Sequence, residues 1–367
     1  MKILIFSAYS SLLKSAAALA TACHAARRGS RVLLASVGPG HFTGALLGQS
    51  LGPRPLELEP NLAAMEIGPL DEIGQRWDVV RPTLRGGLVS RVREINADEL
   101  PAFPGLDAVA GLLVAEKARA TGRFDLVVLD GPGPDTLQHA LTLPDVMRLF
   151  VRLLFGLDRG PGRSRSSQES ALVPAALLAP TMLAPLQELR VALEEQRARL
   201  DAATGTRFRL VATPEELALP PLRQALTSLG LYGLATDELL VAGAPEQVDA
   251  ALRHEFSPEA GKARPTLRIG PLPTSPADRD SWALRGAALY HDNAIFSQAE
   301  ARRASEEREV QLAIPFLDPQ QLDIAVASEE VVVRLGQQRR HMLLPGLVEG
   351  GRLRARVEGE ILRLWVE

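Results

Sequence analysis

Short, nearly continuous apolar runs alternate with alanine-rich or amphipathic stretches along the amino-terminal part of the chain. Runs at Lys2–Phe6, Arg31–Ser36, Phe124–Asp130, Phe208–Thr213 and Glu238–Ala244 are rich in branched residues and bounded by turn or polar residues. Hydrophobicity that is continuous rather than alternating predicts central strands of a parallel sheet, buried on both faces. Between them, Lys14–Arg28, closing at Gly29, and the stretches Ala108–Ala120 and Glu215–Leu229 have helix-forming composition. The alternation predicts an α/β fold with a doubly wound, mostly parallel sheet.

The rhythm fails between about 153 and 207, where a polar stretch, Asp158–Ser170, precedes a proline-broken apolar segment and a final charged helical pattern. This reads as a helical insertion. Its apolar part, Ala171–Leu186 with Leu177, Leu178 and Leu183, is a candidate contact for a hydrophobic polypeptide or a second subunit, or packs on the sheet. After the charged stretch Glu300–Glu309 the pattern changes to period-two segments at Val310–Pro315, Leu322–Ala327, Val331–Leu335, Arg340–Leu344, Leu353–Val357 and Ile361–Val366. These predict a small antiparallel β-sandwich. The expected division is therefore 1–304 for the α/β part and 305–367 for the sandwich.

Composition narrows the chemistry. With 46% hydrophobic and 23% charged residues and a formal charge of −3, the 367-residue chain is an ordinary globular one, and no nucleic-acid footprint is expected. The single Cys23 excludes an internal disulfide or a cysteine zinc site and suits a reducing, cytoplasmic setting. The six histidines show no metal-ligand spacing. The apolar run Ile3–Phe6 is too short for a signal peptide, and the prolines at 174, 180 and 185 break the longest apolar stretch, so no membrane span is predicted. Among 41 basic residues only Lys2, Lys14, Lys117 and Lys262 are lysine, which draws attention to Lys14 after the first strand.

Ligands of open α/β sheets bind at the carboxyl ends of the strands, so the first βα turn is where phosphate chemistry is sought. It reads Ser7-Ala8-Tyr9-Ser10-Ser11-Leu12-Leu13-Lys14-Ser15, without a glycine. A phosphate loop needs glycines so that main-chain amides can close around the ligand. Only the pair Lys14-Ser15 keeps an element able to neutralise phosphate and hold magnesium. Read by themselves, Lys14 is a solvated lysine in a first helical turn, Ser15 a helix-start residue and Asp130 a strand-end group.

Several further segments give the loop a context. Pro104-Gly105-Leu106-Asp107, the strand ending in Asp130, Thr136-Leu137 with Leu143-Pro144, Thr213-Pro214-Glu215, and Gly270-Pro271-Leu272 with Ala288-Leu289-Tyr290 follow one another in a specific order. In that order and spacing the chain resembles the arsenical-pump-driving ATPase (ArsA) family, which includes the targeting ATPase of the guided-entry pathway for tail-anchored membrane proteins. Against the family loop G-K-G-G-V-G-K-T, the glycines are replaced by Ala8, Ser10, Ser11 and Leu13, and Tyr9 stands where an intersubunit lysine would reach a partner's phosphates. Ser36-Val37-Gly38-Pro39-Gly40-His41 resembles the first switch, with Gly38 in place of the water-orienting aspartate. The second switch, from Asp130 to Thr136, keeps only its first aspartate, and Ala242 occupies the place of an adenine-reading asparagine. The segments around Val310–Val326, Val331–Leu344 and Ala355, Val357, Gly359 and Ile361 resemble an α-crystallin domain of the small heat shock type, carried by some family members.

The resemblance implies a P-loop NTPase-type scaffold and a homodimer. A lost transition-state contact costs about a hundredfold or more in rate, so several losses together predict negligible turnover. The expectation is a protein with a degenerate nucleotide site that acts as a binding, chaperone or targeting factor for hydrophobic segments. Residual ATP and magnesium binding would use Ser10, Ser11, Lys14, Ser15, Asp130 and Pro271, with no separate metal site. Two alternatives stay open: a slow ATPase, and an assembly protein driven by the α-crystallin-like part. That part either presents sheet edges to other chains or buttresses the larger domain.

Overall fold

The computed structural model describes residues 1–38, 40, 42–80, 82, 94–100, 105–142, 205–234, 236–290, 295, 309–327, 330–343 and 351–367. An eight-stranded sheet has the order β3-β4-β2-β5-β1-β6-β7-β8. Its strands are β1 (Lys2–Ser7), β2 (Val32–Val37), β3 (Leu56–Glu59), β4 (Leu62–Ile67), β5 (Leu126–Asp130), β6 (Thr206–Ala212), β7 (Thr236–Ala242) and β8 (Thr266–Gly270). All neighbours are parallel except β3 and β4. The five strands expected from continuous apolar runs are present, with ends shifted by up to two residues. β3, β4 and β8 escape that reading because each carries charge. Glu66 in β4 and Arg268 in β8 are buried and partnered, by the Gly44 amide and by Glu238 respectively.

The helices are α1 (Ser11–Arg27), α2 (Phe42–Leu47), α3 (Pro69–Val80), α4 (Leu106–Thr121), α5 (Pro214–Leu217), α6 (Pro220–Leu231), α7 (Ala250–Glu255) and α8 (Arg279–Leu289). A proline pair at Pro220-Pro221 splits the single helix expected over Glu215–Leu229 into α5 and α6, since proline starts helices but cannot sit inside one. Two clusters of buried side chains lie on opposite faces of the sheet. One gathers Ile3, Ile5, Val127 and Leu129 with α4 and α6; the other gathers Leu4, Phe6, Leu34 and Val128 with α1 and α8. α1 is buried almost throughout its length, and its run of alanines lets sheet and α8 approach it closely. Cys23 is packed there as a small apolar group, its thiol pushed up to about 12 chiefly by burial. The expected helical insertion, with Leu177, Leu178 and Leu183, lies outside the described residues, except that 206–207 belong to β6. No helix among the described residues is long and apolar enough to cross a membrane.

The carboxyl-terminal part is all β. Strands β9 (Glu309–Ala313), β10 (Leu322–Ala327), β11 (Glu330–Leu335), β12 (Gln338–Leu343), β13 (Leu353–Glu358) and β14 (Ile361–Val366) form two antiparallel three-stranded sheets, β10-β11-β12 and β13-β14-β9. Val331 and Val333 of one sheet share a core with Leu312, Leu362, Leu364 and Val366 of the other, as the alternating pattern predicts. Leu231, the last residue of α6, belongs to the same core. Polar contacts fasten this seam. The Glu360 carboxylate accepts from the Phe316 and Ala263 amides at 2.9 and 2.8 Å and pairs with Arg264 at 2.5 Å. The Thr227 hydroxyl donates to the Pro315 carbonyl at 2.8 Å and that of Tyr232 to the Arg339 carbonyl at 2.7 Å. Gly230 is required here, because a Cβ would come within 2.6 Å of the Ala313 carbonyl oxygen. The sandwich thus buttresses α6.

Candidate functional site: the carboxyl ends of β1, β5 and β2

Only Ala8, Tyr9 and Ser10 separate β1 from α1. Ser10 is extended and caps the helix: its Oγ accepts from the Leu13 amide at 3.4 Å and its carbonyl from the Lys14 amide at 3.0 Å. The Leu13 and Lys14 amides are therefore spent within the first helical turn rather than turned toward a ligand. The structure corrects two readings of this segment. The helix begins at Ser11, so Ser15 lies beyond its first turn, and Lys14 is buried, with 6% of its surface exposed. Both corrections have one origin: serines that cap well and leucines that favour helix replace residues that would keep the turn open.

Lys14 lies over the end of β5. Its Nζ is 2.5 Å from Asp130 Oδ1 and also donates to the Gly131 carbonyl. Asp130 Oδ2 accepts from Ser15 Oγ at 2.6 Å, Ser36 Oγ at 2.8 Å and Thr43 Oγ1 at 3.4 Å. One cation and three hydroxyls therefore surround one carboxylate, itself 1% exposed, and the buried charge is compensated locally. Ser15 Oγ also lies 3.0 Å from the Ser11 carbonyl, which is Ser11's contribution. Sequence reasoning missed Ser36 and Thr43 as members of this knot; their signal is a hydroxyl at the end of β2 and another in the first turn of α2.

The adjoining turns are closed in the same way. The Gly131 amide donates to the Phe6 carbonyl at 3.1 Å, and the Ser7 hydroxyl to the Pro132 carbonyl at 2.8 Å, which ties the Gly131–Pro134 turn to β1. Gly38 has φ +142°, a conformation L side chains rarely adopt, so its lack of a side chain matches its backbone. Pro271 is exposed after β8, three strands from β1, or about 14 Å at ordinary strand spacing. The structure thus brings together Lys14, Ser15 and Asp130, uses Ser10 and Ser11 in the helix start, and leaves Pro271 apart. Ser15 and Asp130 are donors of the kind magnesium takes, but the Lys14 ammonium already sits against that carboxylate. Among the described residues no group of three or more His, Cys, Asp and Glu side chains is arranged to hold a metal ion.

A second ionic cluster shares α1 as its cover. Arg209 and Asp130 both lie in register with Phe6, on the two strands flanking β1, so their side chains leave the same sheet face. Arg209 is fully buried. It donates to Asp237 at 3.1 and 3.2 Å and to the Tyr290 hydroxyl at 2.8 Å, pairs with Glu238 at 3.1 Å, and also donates to the Ile295 carbonyl. Arg268 holds the other side of Glu238 at 2.6 Å, and the Thr21 hydroxyl lies 2.9 Å from that of Tyr290. Burial opposes the charge of Arg209, but Tyr290, Asp237 and Glu238 more than offset it and hold its pKa above the usual value. Nothing in the apolar-run reading pointed to this network.

Comparison with known proteins agrees with this architecture. Residues 1–255 match the family described as anion-transporting ATPase, and residues 305–364 match an HSP20-like domain found in ArsA. Putative arsenical pump-driving ATPases of Prosthecochloris vibrioformis and Chlorobaculum tepidum are each 25% identical over 372 residues, covering 95% of this chain and 92% of theirs. One from Aquifex aeolicus is 22% identical over 385 residues, covering 94% of both chains.

Proposed function

The chain belongs to the anion-transporting ATPase (ArsA) family, and from that premise we propose that its nucleotide centre serves as a structural ion-pair knot. In this reading the protein works as a homodimeric binding or targeting factor for hydrophobic polypeptide segments and not as an ATP-driven engine. The observation that carries it is the commitment of Lys14 to Asp130 and the Gly131 carbonyl beneath a glycine-free turn whose Leu13 and Lys14 amides are already bonded to Ser10. An ATP molecule would have to break a buried ion pair to gain its only loop cation. Transition-state stabilisation would also lack the switch side chain at Gly38, and each such loss removes about a hundredfold or more in rate.

The test is magnesium-dependent ATP turnover by the purified full chain. The expected result is a rate at background that Lys14→Ala does not change; turnover abolished by Lys14→Ala would refute the reading. For client capture, aspartates at Leu177, Leu178 and Leu183 are expected to abolish binding of a hydrophobic helical peptide, and undiminished capture would reject that part.

A slow ATPase is the second reading, favoured by the Ser15 hydroxyl 2.6 Å from Asp130, a pair of the type that holds magnesium beside nucleotide phosphates. Bound magnesium would supply charge neutralisation there, with Ser15 and Asp130 orienting it. Turnover sensitive to Asp130→Asn would support this alternative.

A further inference from the structure

The end of α6 and the loop into β8 lie at the amino edge of the sheet, opposite the knot, and there the two parts of the chain exchange apolar side chains. Among the described residues, Leu231 alone of the α/β part enters the core of the sandwich. Phe316, which follows β9, packs in return against the α/β core beside Phe256, with ring centres 5.1 Å apart. The contacts that flank this exchange are polar: Glu360 to Arg264 and the Ala263 amide, Thr227 to the Pro315 carbonyl, and Tyr232 to the Arg339 carbonyl. Two cores joined through so little apolar surface are free to move relative to each other.

The docked state also carries costs that belong to the seam alone. Phe316 has φ +58°, and it and Asn61 are the two non-glycine residues with positive φ among the described residues. For a bulky aromatic residue that region is unfavourable unless the surroundings impose it. Here they do. The Phe316 amide donates to Glu360, the Arg264 guanidinium stands 3.2 Å from the ring centre, and Arg223, fixed by Glu255 at 2.7 and 2.9 Å, lies 5.9 Å from the same ring. Arg264 is itself incompletely matched: its side chain is 8% exposed, yet its Nε and Nη1 find no acceptor among the described residues. Burial holds its pKa below the usual value against the opposing pull of Glu360 and Glu255. Separation of the two parts would relax the Phe316 backbone and hydrate those donors, so opening here is easier than the contacts alone suggest.

We infer that the sandwich is a latched unit, which leaves α6 and the 261–264 loop as a whole and without unfolding when the Glu360–Arg264 pair and the Phe316 clamp release, uncovering Leu231. The inference is independent of whether the nucleotide centre turns over. The tip of the β13–β14 hairpin gives a selective way to force the latch. Gly359, at φ +61°, faces the Gly261 backbone, and a Cβ there would collide with the Gly261 carbonyl oxygen. Gly336, at φ +58° in the β11–β12 turn, is a matched control, since a Cβ there meets the side-chain tip of Gln321 at 3.3 Å. Alanine carries the same left-handed backbone penalty at both positions, but Gly359→Ala also strikes backbone across the seam.

The test is hydrogen–deuterium exchange of the full chain, read by mass spectrometry on peptides covering 227–232, 259–264 and 314–317, with β1, β5, β11 and β14 as references. In the parent chain the seam peptides are expected to exchange at least about tenfold faster than all four reference strands. Gly359→Ala should speed seam exchange about tenfold beyond Gly336→Ala and leave β1 and β5 unchanged. Seam protection equal to that of β1 and β5 would overturn the inference. So would exchange of β11 and β14 at the rate of the seam, which is unfolding of the sandwich, or seam exchange no faster in Gly359→Ala than in Gly336→Ala. The first two outcomes are read from the parent chain and stand even where a variant fails to fold.

Discussion

Two buried ionic clusters sit under one helix on either side of Phe6, and they differ in what surrounds them. The Arg209 group lies on β6, β7 and β8, with two arginines facing two carboxylates and Arg209 donating further to Tyr290 and the Ile295 carbonyl. The Lys14 group sits at the carboxyl edge, where loops of an α/β sheet carry ligands, and consists of one ion pair ringed by hydroxyls. Burial and charge alone do not distinguish a site from a strut. Position in the sheet separates them: only the second lies where open α/β sheets bind ligands. Its lysine is paired within the chain, with Asp130 and the Gly131 carbonyl.

The largest effect should come from breaking the scaffold cluster. Arg209→Met leaves Asp237 and part of Glu238 uncompensated in the interior and is expected to cost about 3–5 kcal/mol, read as a shift in the denaturation midpoint. A loss below about 1 kcal/mol would show that the network is not dry. Lys14→Met should cost less, about 2–3 kcal/mol, because Ser15, Ser36 and Thr43 still donate to Asp130. Combining it with Asp130→Leu should recover part of that loss, since both charges then vanish together. A double variant as unstable as the sum of the singles would mean that the pair is not coupled.

Smaller changes sharpen the contrast. Gly38→Asp restores a carboxylate to the first switch yet places a side chain at φ +142°, at a cost of about 1–2 kcal/mol and with no gain in ATP turnover. Recovered turnover would show that the missing aspartate, not the closed turn, limits catalysis. Smallest is the effect of pH on α1. His24, stacked on Tyr290 with ring centres 6.0 Å apart, is held below its ordinary value of 6.5 by burial and then by Arg28. Its folded pKa is depressed, so its contribution is full above the ordinary histidine range and is lost as pH falls through that range toward the folded value. Denaturation between pH 7 and 5 should accordingly be less pH-dependent in His24→Gln than in the parent; identical slopes would assign the acid sensitivity elsewhere.

Much of this was legible in the residues, for reasons that also explain what was not. Val127 to Leu129 and Leu33 to Leu34 advertise buried parallel strands because nothing polar interrupts them, and the alternation in Leu322–Ala327 announces a one-sided sheet. β4 and β8 were hidden because a buried Glu66 or Arg268 looks like surface until its partner, distant in sequence, is placed beside it. The candidate site was found through Lys14 and Asp130, but its state was not. Whether a lysine after a strand faces water or a carboxylate depends on where the helix starts, and Ser10 moves that start three residues upstream of Lys14. Ser36 and Thr43 join the site only through folding, as does the Arg209 cluster, whose members come from β6, β7, β8 and the end of α8.

The central claim, that the Lys14 ammonium is committed to the protein's own carboxylate and withheld from nucleotide, is tested most directly by calorimetric titration of magnesium ATP into the full chain and into Lys14→Ala. Both proteins are predicted to show no saturable binding tighter than about 1 mM. Micromolar binding to the parent chain that Lys14→Ala abolishes would contradict it.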